Sequence, residues 1–204
     1  MKTELCEIMT KHGSDKGSGW HNYTEFYHQK FEFFRKKELK IFELGLGTNN
    51  PNLPSSMGVN GKPGASLRGW KEYFTNSLVY GADIDRDILF EEERIKTFYC
   101  DQNNKEVIRN MWNLPELKDI QFDIIIDDGL HECNANMIFL ENSIHKLTSD
   151  GIYIIEDVLN HTINNFKNRL EQLNINNFLK FDIVQLENSN NKTDNTIIII
   201  QNKL

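Results

Sequence analysis

Two groups of acidic residues end apolar runs and could do chemistry together. The run FDIII (122–126) leads into Asp127-Asp128-Gly129-Leu130-His131, and the run GIYII (151–155) leads into Glu156-Asp157. Carboxylates crowded together repel one another and rise in pKa unless a cation sits among them. Hard oxygen donors suit magnesium, which leaves coordination positions for water or substrate. Asp128, Glu156 and Asp157 are therefore the expected metal ligands. A hydroxyl brought to such a cation is acidified, though less than by zinc. His131, three residues after Asp128, is the expected general base, because a neutral imidazole near pH 7 can take a proton. Taken singly, each of these residues could instead cap a helix or stand in a loop. As a set they point to proton removal from an acceptor hydroxyl.

A second set suits an adenosine-containing ligand. Glu43-Leu44-Gly45-Leu46-Gly47 ends an earlier apolar run, and glycines there let the backbone approach a ligand closely. Asp83, with Asp85 after it, ends the run SLVYGA (77–82); an acid at this place can accept both ribose hydroxyls. Asp101-Gln102 ends IKTFYC (95–100) and suits an adenine amino group. The expected cofactor-binding residues are Glu43, Gly45, Gly47, Asp83, Asp101, Gln102 and Asp127. A dinucleotide oxidoreductase is the rival, and its fingerprint fits poorly. It wants glycine where Asn50 stands, and an acid about 20 residues on, whereas Asp83 comes only after a long loop.

These residues need a scaffold that brings strand ends together. Short apolar runs at 39–45, 77–85, 95–101, 122–129, 151–157, 178–187 and 195–202 read as strands. Helical patterns fall between them at 66–76, 86–93, 104–112, 133–147 and 159–174. Continuous apolar runs mark strands covered on both faces, so the alternation predicts a doubly wound, Rossmann-like, mostly parallel α/β sheet of seven strands. Its ligands bind at the carboxyl ends of the strands. Residues 1–37 read as an N-terminal extension of two helices, and 38–204 as the Rossmann-like core of one domain. The Gly/Pro/Asn/Ser stretch 48–65 reads as a functional loop, a lid that orders over bound ligand.

With those motifs in order, the chain resembles the metal-dependent sugar O-methyltransferases of macrolide biosynthesis, the mycinamicin and macrocin type. The resemblance rests on HGSDKGSGWHNYTEFY (12–27), ELGLG (43–47), GASLRGWKEYF (64–74), VYGADID (79–85), CDQNN (100–104), DDGLH (127–131) and IIED (154–157). It implies S-adenosylmethionine as methyl donor, Mg2+ on the matching Asp128, Glu156 and Asp157, and His131 as base. Leu130 stands where a small polar residue is expected. The chain shows no counterpart of the macrolide enzymes' extra N-terminal domain, so a different acceptor is expected: a sugar hydroxyl on a nucleotide-linked or surface-polysaccharide precursor. In the N-terminal motif, His12, Asp15, Lys16, Trp20, His21, Asn22 and Tyr23 either close over the ligands or pack as a helical layer.

Bulk properties agree. With 23 Lys and Arg against 30 Asp and Glu, the net charge is −7. That disfavours nucleic acid and anionic membranes as partners, since both need a basic surface. The three cysteines form no metal-binding or disulfide pattern. No apolar stretch approaches a membrane span or the core of a signal peptide, so a cytoplasmic location is expected. The partner expected is a small-molecule acceptor, with homo-oligomerisation left open. Two rival functions follow from the same residues: a metal-independent methyltransferase, and a non-catalytic nucleotide-binding module. The second has no use for crowded negative charge.

Overall fold

The computed structural model describes residues 2–17, 19–173 and 178–203. The strands are β1 (Lys40–Leu44), β2 (Leu78–Asp83), β3 (Glu91–Glu92), β4 (Ile95–Tyr99), β5 (Phe122–Asp127), β6 (Leu147–Ile155), β7 (Leu179–Gln185) and β8 (Thr196–Asn202). The helices are α1 (Glu4–His12), α2 (Tyr23–Phe31), α3 (Ala65–Tyr73), α4 (Lys105–Trp112), α5 (Cys133–Ser143) and α6 (Ile163–Leu173). Ser18 and position 174, where the last helix was expected to end, lie outside the described residues.

The strands form one sheet of order β3-β4-β2-β1-β5-β6-β8-β7. Pairings among β4, β2, β1, β5 and β6 are parallel, and β3 and β8 pair antiparallel to their neighbours. The doubly wound reading therefore holds, with eight strands rather than seven. The extra strand corrects the expected helix at 86–93. There Asp85 accepts a hydrogen bond from the Asp87 amide and starts a single 3-10 turn at Arg86–Ile88. Arg94, at φ +63°, then turns the chain so that Glu91 and Glu92 pair with β4. Within this segment Arg68 holds Glu92 in an ion pair and stacks on Phe90.

Packing explains why the two halves of the chain cover different faces. On one face α4, α5 and α6 bury Phe42, Trp112, Phe122 and Phe139, with the Phe42 and Trp112 rings 4.6 Å apart. On the other, α1, α2 and α3 bury Tyr27, Phe31, Trp70, Tyr73 and Phe74. Each such ring contributes about 1.5–3 kcal/mol by leaving water. Residues 1–37 thus supply part of the core over one face.

The register levels the strand ends. Leu44 lies opposite Ala82 on one side and Asp127 on the other, and Asp127 lies opposite Ile155. The residues that follow, Gly45, Asp83, Asp128 and Glu156, therefore emerge at one height. The order of successive strands across the sheet switches direction between the parallel neighbours β1 and β5, the place where such sheets open a crevice.

Candidate active site

Backbone contacts bind the central strand ends into one rim. The Gly45 amide donates to the Ala82 carbonyl at 2.9 Å, and the Asp128 amide donates to Leu44 at 2.9 Å. Gly45 has φ +92°, and a Cβ there would fall 1.9 Å from the Asp128 carbonyl oxygen. No residue with a side chain fits that contact. His131 (φ +59°) and Asp157 (φ +53°) also take left-handed conformations, although neither is glycine. Such conformations cost about 1–3 kcal/mol each and gather at functional sites.

One cavity crosses this rim. Gly45, Gly47, Asp83, Asp101 and Gln102 line it at one end, and Asp128, His131 and Asp157 at the other. Pro54, Ser55 and Met57 of the long loop form part of its wall. That loop is tied down by the Met57 amide on the Thr48 carbonyl (2.8 Å) and by the Ser55 hydroxyl on the Leu130 carbonyl (3.2 Å).

At the first end the acidic groups are held by their own neighbourhood. Asp83 accepts from the amides of Leu46 (2.7 Å) and Asp85 (2.8 Å). Burial raises its pKa, and those amides pull against the rise. Gln102 donates to Asp127 at 2.7 Å and accepts from the Leu130 amide at 2.7 Å, so it braces the turn before His131. Two residues of the expected cofactor set stand behind the wall. Asp127 is fully buried, and burial raises its pKa to about 7. Glu43 is also fully buried and accepts from Ser66 and from the Trp70 indole N–H. Both brace the site from beneath.

At the other end the partners come from far along the chain. His131 Nε2 lies 3.2 Å from Asp128 Oδ1 and 3.5 Å from Asp157 Oδ2. Tyr23 donates to Asp157 Oδ1 at 2.7 Å, and His21 Nε2 stands 3.5 Å from the same oxygen. Glu156 is 1% exposed and accepts from the Tyr27 hydroxyl at 2.5 Å and from the Lys16 ammonium. Lys16 also donates to Asp128 Oδ2 at 2.5 Å and lies 3.7 Å from Glu43. Burial alone would depress the lysine, but Asp128, Glu156 and Glu43 hold its pKa well above the ordinary value.

The sequence led us to expect a neutral His131 and a cation in contact with Glu156. Burial disfavours a charged imidazole, but the bond to Asp128 and the charge of Asp157 raise His131 to about 9. Lys16 and His131 thus both stand beside Asp128, and His131 also faces Asp157. Glu156 faces Lys16 and Tyr27 and does not line the cavity. Asp128, His131 and Asp157 each offer a donor atom, and these atoms lie within 4.8 Å of one another. The carboxylates of Asp128 and Asp157 supply hard oxygen donors suited to a divalent cation, so the residues present fit one.

The places of Lys16, Tyr23 and Tyr27 were only partly legible. The motif at 12–27 marked them, and its residues read either as closing over the ligands or as a packed helical layer. They do pack, with both tyrosines at 1% exposure or less. Their hydroxyls also point at the strand ends, which spacing alone does not reveal.

No family model matches the chain. Its curated relatives include the 8-demethyl-8-alpha-L-rhamnosyl tetracenomycin-C 2'-O-methyltransferase of Streptomyces olivaceus, 32% identical over 154 residues. They also include the demethylmacrocin O-methyltransferase of Streptomyces fradiae, 32% identical over 162 residues. The matches cover 76% and 77% of this chain but 37% of either relative, so the chain matches little more than a third of their length. The resemblance drawn from the motifs is borne out. Among solved structures, the MycE methyltransferase of mycinamycin biosynthesis, in complex with Mg and SAH, is similar over 99% of this chain and 55% of its own, with TM-score 0.71 and 24% identity. The SAH-bound methyltransferase PaMTH1 of Podospora anserina covers 100% of this chain at TM-score 0.59 and 11% identity. The fold is that of these Rossmann-like methyltransferases. Among the described residues no helix is long and apolar enough to cross a membrane.

Proposed function

We propose that the chain transfers the methyl group of S-adenosylmethionine to a hydroxyl of a sugar or sugar-bearing small molecule. The observation that carries this reading is the single cavity. It joins a rim suited to adenosine, at Asp83, Asp101 and Gln102, to the cluster of Asp128, His131 and Asp157. Both substrates of a methyl transfer must meet in one enclosed place, and alignment there supplies much of the rate.

In this reading the ribose lies against Asp83 and the adenine near Asp101 and Gln102. The methionine portion lies against Gly45 and Gly47, where no Cβ stands in the way. Asp128 and Asp157 would hold a magnesium ion beside His131, with Glu156 behind them. When bound, the ion lowers the pKa of a hydroxyl presented to it. His131 takes the acceptor's proton on Nε2, and Asp128 and Asp157 orient its ring and stabilise the imidazolium that results. Gln102, through the Leu130 amide, fixes the turn that carries His131. The wall at Pro54–Met57 keeps water from the sulfonium. The names of the relatives support a glycosidic sugar as acceptor.

Incubation with radiolabelled S-adenosylmethionine and a rhamnosyl glycoside, with Mg2+ or with chelator, tests the proposal. Label should pass to the glycoside with Mg2+ and stop with chelator. Full transfer in chelator would favour the metal-independent reading, and binding of NAD in place of S-adenosylhomocysteine would overturn the cofactor.

A further inference from the structure

Of the three tryptophans, Trp70 and Trp112 lie in the two cores, whereas Trp20 is 54% exposed. A lone exposed apolar side chain needs no explanation by itself. Trp20 is set apart by how firmly its backbone is held and by what stands next to it. The Trp20 carbonyl accepts from the Asn188 side-chain amide at 2.9 Å, and the Gly19 carbonyl accepts from the Asn190 side chain at 3.2 Å. Across the indole-bearing residue, the Gly19 amide donates to the His21 carbonyl at 3.2 Å. Asn22 donates to the Glu187 carbonyl at 3.1 Å and accepts from Asn195 at 2.7 Å. The Asn-rich connection between β7 and β8 thus grips residues 19–22 through side-chain amides.

That grip holds the indole at the acid–base end of the cavity. The Trp20 ring meets the His21 ring edge-on, with centroids 6.4 Å apart. His21 is buried, and its Nε2 stands 3.5 Å from an oxygen of Asp157, which lines the cavity beside His131. The indole therefore stands one ring beyond the reacting cluster, outside the cavity wall. An indole face is a large, rigid surface on which the C–H groups of a sugar ring, or the face of an aromatic ring, can pack. A platform fixed before its ligand arrives loses little freedom on binding. Given transfer to a sugar hydroxyl, as proposed, we infer that Trp20 determines acceptor specificity: it stacks on the ring joined to the methylated sugar, so the preferred acceptor is a neutral glycoside of at least two rings.

Three glycosides serve as probes for the whole chain with S-adenosylmethionine and Mg2+. Methyl rhamnoside has one ring, methyl rhamnobioside adds a second sugar, and phenyl rhamnoside adds an aromatic aglycone. The wild type should show a KM about tenfold lower for one or both two-ring probes than for methyl rhamnoside, and the better of the two identifies the ring that Trp20 meets. Trp20→Ala should remove that advantage by raising KM, with kcat within about twofold of the wild type and methyl rhamnoside unaffected. Trp20→Phe, which keeps a ring, should recover most of the difference. Thermal melts should not change, since the side chain is exposed. A second readout needs no turnover. With Trp70 and Trp112 buried, Trp20 dominates the quenching of tryptophan fluorescence by acrylamide. In the chain saturated with S-adenosylhomocysteine, the preferred two-ring probe should shield Trp20, and methyl rhamnoside should not. If Trp20→Ala changes KM equally for one-ring and two-ring probes, or for none, the inference is overturned while the sugar acceptor stands. Methylated two-ring probes that leave Trp20 fully open to acrylamide overturn it equally. If none of the three glycosides is methylated, the sugar-acceptor reading falls, and the inference with it.

Discussion

The two ends of the cavity are both lined by carboxylates, yet they are held in opposite ways. At the adenosine end Asp83 is satisfied by amides two and 37 residues away, Asp101 by the Asn103 amide, and Gln102 by the rim itself. At the other end Asp128, Glu156 and Asp157 take charged or hydroxyl partners from Lys16, Tyr23 and Tyr27, more than 100 positions earlier in the chain. The first end is a property of the Rossmann-like sheet. The second is braced by the segment before β1, whose Lys16, Tyr23 and Tyr27 reach the strand ends. The ligand-binding rim is therefore held by the sheet and its loops, whereas the acid–base cluster takes bracing partners from both parts of the chain.

Gly45 is where the two ends touch, and its change should do the most damage. Gly45→Ala places a methyl group on the Asp128 carbonyl and forces a residue with a side chain to φ +92°. We expect a loss of about 4 kcal/mol or more in stability, read by urea denaturation. A near-normal midpoint would mean that the rim can open without cost.

His131→Ala separates the ends cleanly. Methyl transfer should fall about 10²–10⁴-fold while affinity for S-adenosylhomocysteine stays unchanged. A matching loss of cofactor affinity would show that the two ends are not independent.

Asp83→Ala acts at the other end. It removes the partner of the Leu46 amide as well as the acceptor proposed for the ribose, so cofactor affinity should fall by about 1–3 kcal/mol, with some loss of stability. Calorimetry with S-adenosylhomocysteine reads the first and thermal melts the second. Metal affinity should not change.

The smallest effect concerns how the N-terminal layer is tied down. Arg35 holds Glu4 of α1 with two bonds of 2.6 Å. The pairing lowers the Glu4 pKa below its ordinary value of 4.5, so the stability it adds is present above that value and is lost as pH falls through the folded one. The pair is largely exposed, and solvent screening limits it to about 1 kcal/mol or less. Arg35→Ala should thus lower the melting temperature slightly at neutral pH and not at all in strong acid.

The contrast also explains what could be read from the sequence. Strand ends were legible because buried parallel strands are unbroken apolar runs, and because Asp83, Asp128 and Glu156 directly follow them. The helix expected at 86–93 failed because an Asx turn at Asp85 and the ion pair of Glu92 with Arg68 outweighed local helical character. Lys16 was visible as a motif residue, but its role was not. The sequence shows that crowded carboxylates need a cation, and it does not say that the chain provides one from 112 positions away. The burial of Glu43 and Asp127 escaped for the same reason: their partners Trp70 and Gln102 come from other elements.

Calorimetric titration of the wild-type chain with S-adenosylhomocysteine, beside a parallel titration with NAD, tests the central claim most directly. The account predicts saturable binding of one S-adenosylhomocysteine per chain, weakened in Asp83→Ala and intact in His131→Ala, with no heat from NAD. Binding of NAD, or S-adenosylhomocysteine binding that Asp83→Ala leaves unchanged, would contradict it.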